Sequence, residues 1–362
     1  MLWVMFLVST LIAFGVTELS IALSHRQGVL DVPNVRSSHS QPVPRLGGVG
    51  ILAAVLVSVV LLALLRRWGY VAFTVLTRDV VVMLGAGMGM AATGLYDDFH
   101  GLRPTMKYLM QFLLAGLIVG FGYRIQSIAL LQWGPWSLGL LSIAVTVLWL
   151  TGFVNVFNFM DGINGISAVT AAVYFAFFAV FAADQGSTNL VAVALVLAGG
   201  CLGFLPLNFP KARTFMGDTG SLMLGMTLAF FVVRLAQLAP TPDRLVSLVL
   251  VCAVYLWDGG FTIVRRLRRG ENIFRAHRSH LYQRLVQLGH SHARITILYL
   301  LLHMVMGGLA LAFARSGNGL RAAILVFALM TLVAFTLIVD ELERKGVKTH
   351  PPVGAAAEGG KT

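Results

Sequence analysis

Two adjacent carboxylates, Asp97 and Asp98, stand in Gly94-Leu95-Tyr96-Asp97-Asp98-Phe99-His100-Gly101-Leu102, between apolar stretches of a chain that is only 12% charged. Like charges this close repel and desolvate badly unless a cation or protons settle them. Mg2+, which favours carboxylate and phosphate oxygens, is the obvious counter-ion. Other polar residues recur with similar economy. Asn155, Asn158 and Asp161 are spaced by three, so at a helix end they project from roughly one face. Three polar side chains on an apolar helix are costly unless they bind something or hydrogen-bond neighbouring helices. Asp218, in Phe215-Met216-Gly217-Asp218-Thr219-Gly220-Ser221, opens another apolar segment. There it can act as an N-cap or face a metal–diphosphate group, and the motif alone leaves both open.

Basic and imidazole groups complete the set. Arg45, in Pro44-Arg45-Leu46-Gly47-Gly48, lies just before a helix start and could hold a phosphate there. His277 and His280 lie in a loop with no cysteine or other spacing that supports zinc, so donation to a nucleotide phosphate fits them better. Ser279 is placed to cap a short amphipathic helix ending at Gly289, with Leu281, Leu285 and Leu288 toward the membrane. Asp258 is expected to line the same cavity or to pair with an arginine. Cys201 and Cys252 lie inside apolar runs and read as core packing.

These groups must be positioned by membrane helices. The chain has 362 residues, 57% of them hydrophobic, and a mean hydropathy of +0.83. Many runs reach the roughly 20 residues needed to cross a bilayer. The fold expected is all-α and polytopic, with about eleven spans near 1–23, 47–65, 79–96, 105–123, 138–157, 166–183, 189–207, 219–238, 244–264, 293–313 and 321–339. Residues 1–340 read as one catalytic domain with site-bearing loops at 24–46, 97–107, 155–166, 208–218 and 265–294, and 341–362 as a disordered polar tail. The first 23 residues lack a basic leader and a cleavage motif, so they read as a retained span.

A net charge of +12 would suit nucleic acid in a soluble protein. Here it reports sidedness instead: 19 of the 27 Lys and Arg residues fall on the face that carries the site loops and the tail. Basic excess marks the cytoplasmic face, which puts the N-terminus outside and the C-terminus inside. Eight of the nine histidines fall on that face too. A transporter would more often carry its ionisable groups near the bilayer midplane, in broken helices.

In this order and on one face, Pro44-Arg45-Leu46-Gly47-Gly48, Asp97-Asp98, Asn155-Val156-Phe157-Asn158-Phe159-Met160-Asp161-Gly162, Asn208, Phe215–Ser221 and the His277/His280 loop make the chain resemble a known family. It is the polyprenyl-phosphate N-acetylhexosamine-1-phosphate transferases of glycosyltransferase family 4, in the GlcNAc-1-phosphate branch rather than the phospho-MurNAc-pentapeptide branch. The resemblance implies transfer of a sugar-1-phosphate from a UDP-sugar to undecaprenyl phosphate with release of UMP, in a bacterial inner membrane with the site at the cytoplasmic face. It implies Mg2+, or Mn2+, held by Asp218 with Asp97. Asp97, Asp98 and Asp161 are then the catalytic carboxylates, and Arg45, Asn155, Asn158, Asn164, Asn208, His277 and His280 contact substrate. A homodimer and an O-antigen or other surface-glycan role follow from the same likeness.

Two departures refine it. Asn164 stands where the family often has a second acidic residue. His277-Arg278-Ser279-His280 replaces the histidine-rich run of the peptidoglycan branch, which argues for UDP-GlcNAc or a 6-deoxy relative such as UDP-QuiNAc or UDP-FucNAc as donor. The rival class is a multi-pass transporter or flippase without chemistry, which would release no UMP. The sidedness is directly testable: a Lys211→Cys variant should react with an impermeant thiol reagent only after cells are opened, and labelling of intact cells would invert the topology.

Overall fold

The computed structural model describes residues 1–33, 41–131, 133–239, 241, 243–272 and 277–347. His39 lies outside them, as does the tail beyond 347. The helices and ribbons follow in chain order as α1 (Leu2–Gln27), β1 (Leu30–Asp31), β2 (Val43–Pro44), α2 (Gly48–Arg67), α3 (Arg78–His100), α4 (Pro104–Gly120), β3 (Ser127–Leu130), β4 (Trp133–Ser137), α5 (Leu141–Phe159), α6 (Ile166–Asp184), α7 (Thr188–Asn208), α8 (Gly217–Leu238), α9 (Arg244–Val251), α10 (Ala253–Arg268), α11 (Leu281–Gln287), α12 (His292–Arg315) and α13 (Asn318–Val347).

Among the described residues nine helices are long and apolar enough to cross a membrane, and α9 with α10 makes ten if that bent pair is one span. The fourth expected span, 105–123, corresponds to α4, which is only 17 residues long. In hydrocarbon every backbone polar group must be satisfied within its own segment, which is why these apolar runs are helices. The fold is predominantly helical as expected, with two antiparallel ribbons added, β1–β2 and β3–β4. The first ribbon pairs Leu30 with Pro44 and so brings the chain before Arg45 back to the end of α1.

At the centre stands α8, buried along nearly its whole length and packed against α3 and α5. Around it α7 packs on α1, α2 and α6, while α12 covers α6 and α9. Small residues let backbones touch. A Cβ on Gly203 of α7 would lie 2.1 Å from the Thr10 carbonyl of α1, and one on Gly94 of α3 would lie 2.2 Å from the Asp218 carbonyl of α8. Close approach of this kind is how membrane helices gain dispersion contacts that lipid cannot supply.

The single span expected at 244–264 is instead two helices that meet at Cys252 with a 75° bend. The apolar run hides a second pattern, Asp258, Thr262 and Arg266, spaced by four on one buried face of α10. The bend turns that face toward α12 and the 277–288 segment, where Asp258 finds donors. The last helix also departs from expectation. It runs past Glu341 to Val347, so the first seven residues assigned to a disordered tail are helical.

Gly203→Ala tests the packing away from the site. An added methyl against a backbone carbonyl should cost about 1–3 kcal/mol, read as a lower thermal midpoint in detergent with the α1–α7 pair loosened. An unchanged midpoint would show that these helices are free to separate.

Candidate active site

The ends of α3, α5 and α7 and the starts of α2, α4 and α8 meet at one end of the bundle. The loop before α2 is tied to the α8 entry by backbone: Gly47 N–H donates to the Phe215 carbonyl (3.0 Å), Gly48 N–H to that of Met216 (2.9 Å), and Phe215 N–H to that of Pro44 (2.7 Å). Gly217 then turns into α8 with φ +67°, and a Cβ there would strike the Arg45 carbonyl at 2.2 Å and the Asp98 carboxylate at 2.6 Å. Only glycine adopts this backbone so close to its neighbours.

Asp98 is the pivot. Its side chain is fully buried and accepts from the backbone N–H of Asp218 (3.1 Å), the backbone N–H of Thr219 (3.0 Å) and the Thr219 hydroxyl (2.8 Å). Arg45 completes it at 3.2 Å. The capping role open to Asp218 is thus taken by Asp98 of α3, which accepts from the first N–H groups of α8. The Asp218 carboxylate is left to turn the other way. Its Oδ1 accepts from the Asn158 amide (3.1 Å), whose nitrogen also reaches Ser221 Oγ (2.8 Å).

Asp218 Oδ2 and Asp97 Oδ2 face one ammonium group, that of Lys107, at 2.7 and 2.6 Å. Asp97 is steadied from behind by the Leu102 N–H at 2.5 Å. Ligand atoms of Asp97, Asp98 and Asp218 lie within 4.8 Å of one another. Both Asp98 oxygens are spent on the α8 entry and Arg45, whereas Asp97 and Asp218 each turn one oxygen to the part-exposed Lys107 ammonium, so a cation replacing that ammonium could be held by these two. An all-carboxylate oxygen set fits Mg2+, which keeps several waters or phosphate oxygens of its own. Sequence reasoning passed over Lys107 as one more loop cation. Its signal was there, since a lysine in the first turn after Pro104 sits at the wrong end of a helix dipole and needs acidic partners.

Asp161, one residue past the C-cap of α5, is expected to be catalytic. Burial of its carboxyl among the surrounding groups, with the Asp218 and Asp98 charges nearby, pushes its pKa up to about 7. At neutral pH it is therefore poised to take or give a proton.

Other expected contacts are spent on structure. Asn155 points at α4, where its amide exchanges hydrogen bonds with Gln111 (2.7 and 3.3 Å). Although three residues from Asn158, it serves helix packing. Asn208 is buried, with Oδ1 accepting from Gly165 N–H (2.6 Å) and Nδ2 donating to the Thr214 carbonyl (2.8 Å). It clamps two loops, so its influence on a substrate is indirect. Asn164 donates to the Pro210 carbonyl (3.0 Å) and its own carbonyl accepts from Thr296 (2.8 Å).

Asp258 is expected to line a cavity or pair with an arginine, but among the described residues its partners are an imidazole, a phenol, a hydroxyl and backbone N–H groups. Buried, it accepts from His280 Nδ1 (3.1 Å), Leu281 N–H (2.9 Å) and Tyr299 OH (2.6 Å). His280, not Ser279, precedes α11, and Leu281 and Leu285 face the protein core rather than the membrane. The bond to Asp258 assigns a proton to His280 Nδ1 and leaves Nε2 outside that contact. His277 lies 5.0 Å away, ring to ring. Burial, with His280 and Arg266 beside it, holds its pKa down to about 4. It is thus neutral at pH 7. Ser279 donates to its Nδ1, the hydroxyl at 2.9 Å and N–H at 3.4 Å, which assigns the remaining proton to Nε2.

Clustered carboxylates with a bridging lysine, and a pair of imidazoles on the 277–280 segment, thus stand among the helix ends of a polytopic bundle. Residues 80–236 match glycosyl transferase family 4. The chain is 32% identical to the decaprenyl-phosphate N-acetylglucosaminephosphotransferase of Mycobacterium tuberculosis over 96% of its own length and 90% of that protein's. It belongs to this family, the polyprenyl-phosphate N-acetylhexosamine-1-phosphate transferases. A probable undecaprenyl-phosphate N-acetylglucosaminyl 1-phosphate transferase of Bacillus subtilis is 29% identical, covering 94% of this chain and 91% of the relative. The phospho-N-acetylmuramoyl-pentapeptide-transferase of Lacticaseibacillus paracasei is 30% identical over 75% of this chain and 84% of its own.

The division of labour among the aspartates predicts different defects. Wild-type protein should gain thermal stability with Mg2+, as any ligand of the folded state stabilises it. Asp218→Asn should keep its metal-free midpoint and lose that gain. Asp98→Asn should lower the midpoint itself, by about 1–3 kcal/mol, because an amide cannot satisfy all the α8 donors. Matching behaviour of the two variants would refute the assignment.

Proposed function

We propose that the chain transfers an N-acetylhexosamine-1-phosphate from a UDP-sugar to undecaprenyl phosphate at the cytoplasmic face of a bacterial inner membrane, releasing UMP. The observation that carries the reading is the Asp97–Lys107–Asp218 bridge, two carboxylates and an ammonium gathered where a diphosphate and its cation would meet. UDP-GlcNAc is the donor that the relatives' names favour, because the N-acetylglucosamine transferases align along nearly the whole chain and the pentapeptide transferase along less of it.

An oxygen of the lipid phosphate attacks the phosphorus that carries the sugar, and the bond from that phosphorus to the UMP oxygen breaks in line. Such transfer depends on positioning and charge neutralisation more than on covalent help. Mg2+, held by Asp97 and Asp218, would supply charge to the diphosphate as UMP leaves. Lys107, displaced from its carboxylates, adds a cation to the same oxygens. Arg45 stands beside them with its guanidinium partly exposed. Asn158 and Asp161, at the end of α5, line the side of the site that takes the nucleotide-sugar donor, with burial raising the Asp161 carboxyl toward neutrality. His277 and His280 each keep one ring nitrogen for a polar group of the donor.

A groove of about 600 Å³ runs along the outward face of α10, past Leu256, Trp257, Phe261 and Val264 to Arg265, Arg268 and Arg269. Its apolar wall suits contact with a prenyl or lipid chain and its arginine rim suits anionic headgroups. Entry of the product into O-antigen or another surface glycan is consistent with this chemistry.

The deciding experiment incubates purified protein with radiolabelled UDP-GlcNAc, undecaprenyl phosphate and Mg2+. Label should enter the lipid phase with equimolar UMP release, and fall to background with Asp97→Asn. Movement of lipid across vesicles without UMP would establish the transporter reading instead.

A further inference from the structure

Seven residues are too few for a helix to stand on its own in water, so α11 must be held from outside. Asp258 holds its first turn. Its other side is held by the last turns of α13. Arg284, with its side chain 2% exposed, donates from Nη2 to Asp340 and Glu343, each at 2.5 Å. Arg265 shares the Glu343 carboxylate at 3.0 Å. One turn further, Gly346 backs onto Leu288 so closely that a Cβ there would lie 2.8 Å from its methyl group. A buried guanidinium is stable only while its carboxylates stay in place.

What α11 holds in turn is the turn after α5. The fully buried Tyr282 donates its hydroxyl to the Phe159 carbonyl at 2.9 Å. That hydroxyl lies 2.1 Å from where a Cβ on Gly162 would stand, so it fills the inside of the 159–162 bend. Asn158 and Asp161 flank the braced carbonyl. We infer that Arg284 is a positioning residue, and that the end of α13 sets the geometry of Asn158 and Asp161 through α11 and Tyr282. The kinetic consequence rests on the donor site proposed above; the mechanical one does not.

The test uses full-length protein in nanodiscs, comparing wild type with Asp340→Asn/Glu343→Gln and with Arg284→Lys. Amide hydrogen exchange should quicken in the double variant both at 281–288 and at 158–165, with α6 and α8 unchanged. Faster exchange at 281–288 alone, or at neither segment, overturns the brace. In the transfer assay KM for UDP-GlcNAc should rise about tenfold, equivalent to about 1.4 kcal/mol. Turnover and the KM for undecaprenyl phosphate should stay within about twofold. A parallel loss of turnover with unchanged KM overturns it too. Arg284→Lys, which keeps the charge, should recover most of the donor affinity and exchange protection, and serves as the folded variant if the double one fails to fold. Should wild type prove inactive on UDP-GlcNAc, the functional reading falls while the exchange result still decides the brace.

Discussion

The carboxylate of Asp98 seated on the first N–H groups of α8 is the contact on which the rest of the site depends. It joins the end of one helix to the start of another across 120 residues of chain. It neutralises part of the charge of an aspartate pair and cancels the unsatisfied donors of a buried helix terminus in one arrangement. Because that cap comes from α3, Asp218 need not fold back on its own helix. Its carboxylate can meet Asp97, Lys107 and Asn158 instead. Gly94 and Gly217 are the corollary, since any side chain at either position would hold α3 or the Arg45 loop away from α8.

Charge balance follows from the same geometry. Three carboxylates share Arg45 and Lys107, which leaves the cluster short of neutrality in surroundings where water screens poorly. Such a cluster could hold a divalent cation. The raised pKa of Asp161 comes first from burial, with the Asp218 and Asp98 charges adding to it.

Much of the site was legible in the chain because its residues are conspicuous in an apolar background. Asp97, Asp98, Asn158, Asp161 and Asp218 announce themselves, as does Arg45 beside its glycines. The partners these residues take were not legible, for one common reason. Asn155 and Asn158 share a helix face by spacing, yet a neighbouring Gln111 claims one and Asp218 the other. Asn208 sits amid site residues in sequence but spends its amide on two backbones. Lys107 looked like an ordinary basic loop residue, although its place in the first turn of a helix called for acidic partners. Periodicity names faces, and only the packed neighbours say which atoms those faces meet.

By itself the sequence determined the membrane class, the helical fold, the family and the end of the bundle where polar groups collect, because hydropathy and motif order are properties of a single chain. Tertiary structure alone decided which aspartate caps and which faces a cation, where the ninth expected span bends, and that the last helix continues far enough to hold Arg284. Each of these turns on pairing between residues distant along the chain. A carboxylate's role is set by which donors reach its two oxygens, and that is a fact about packing.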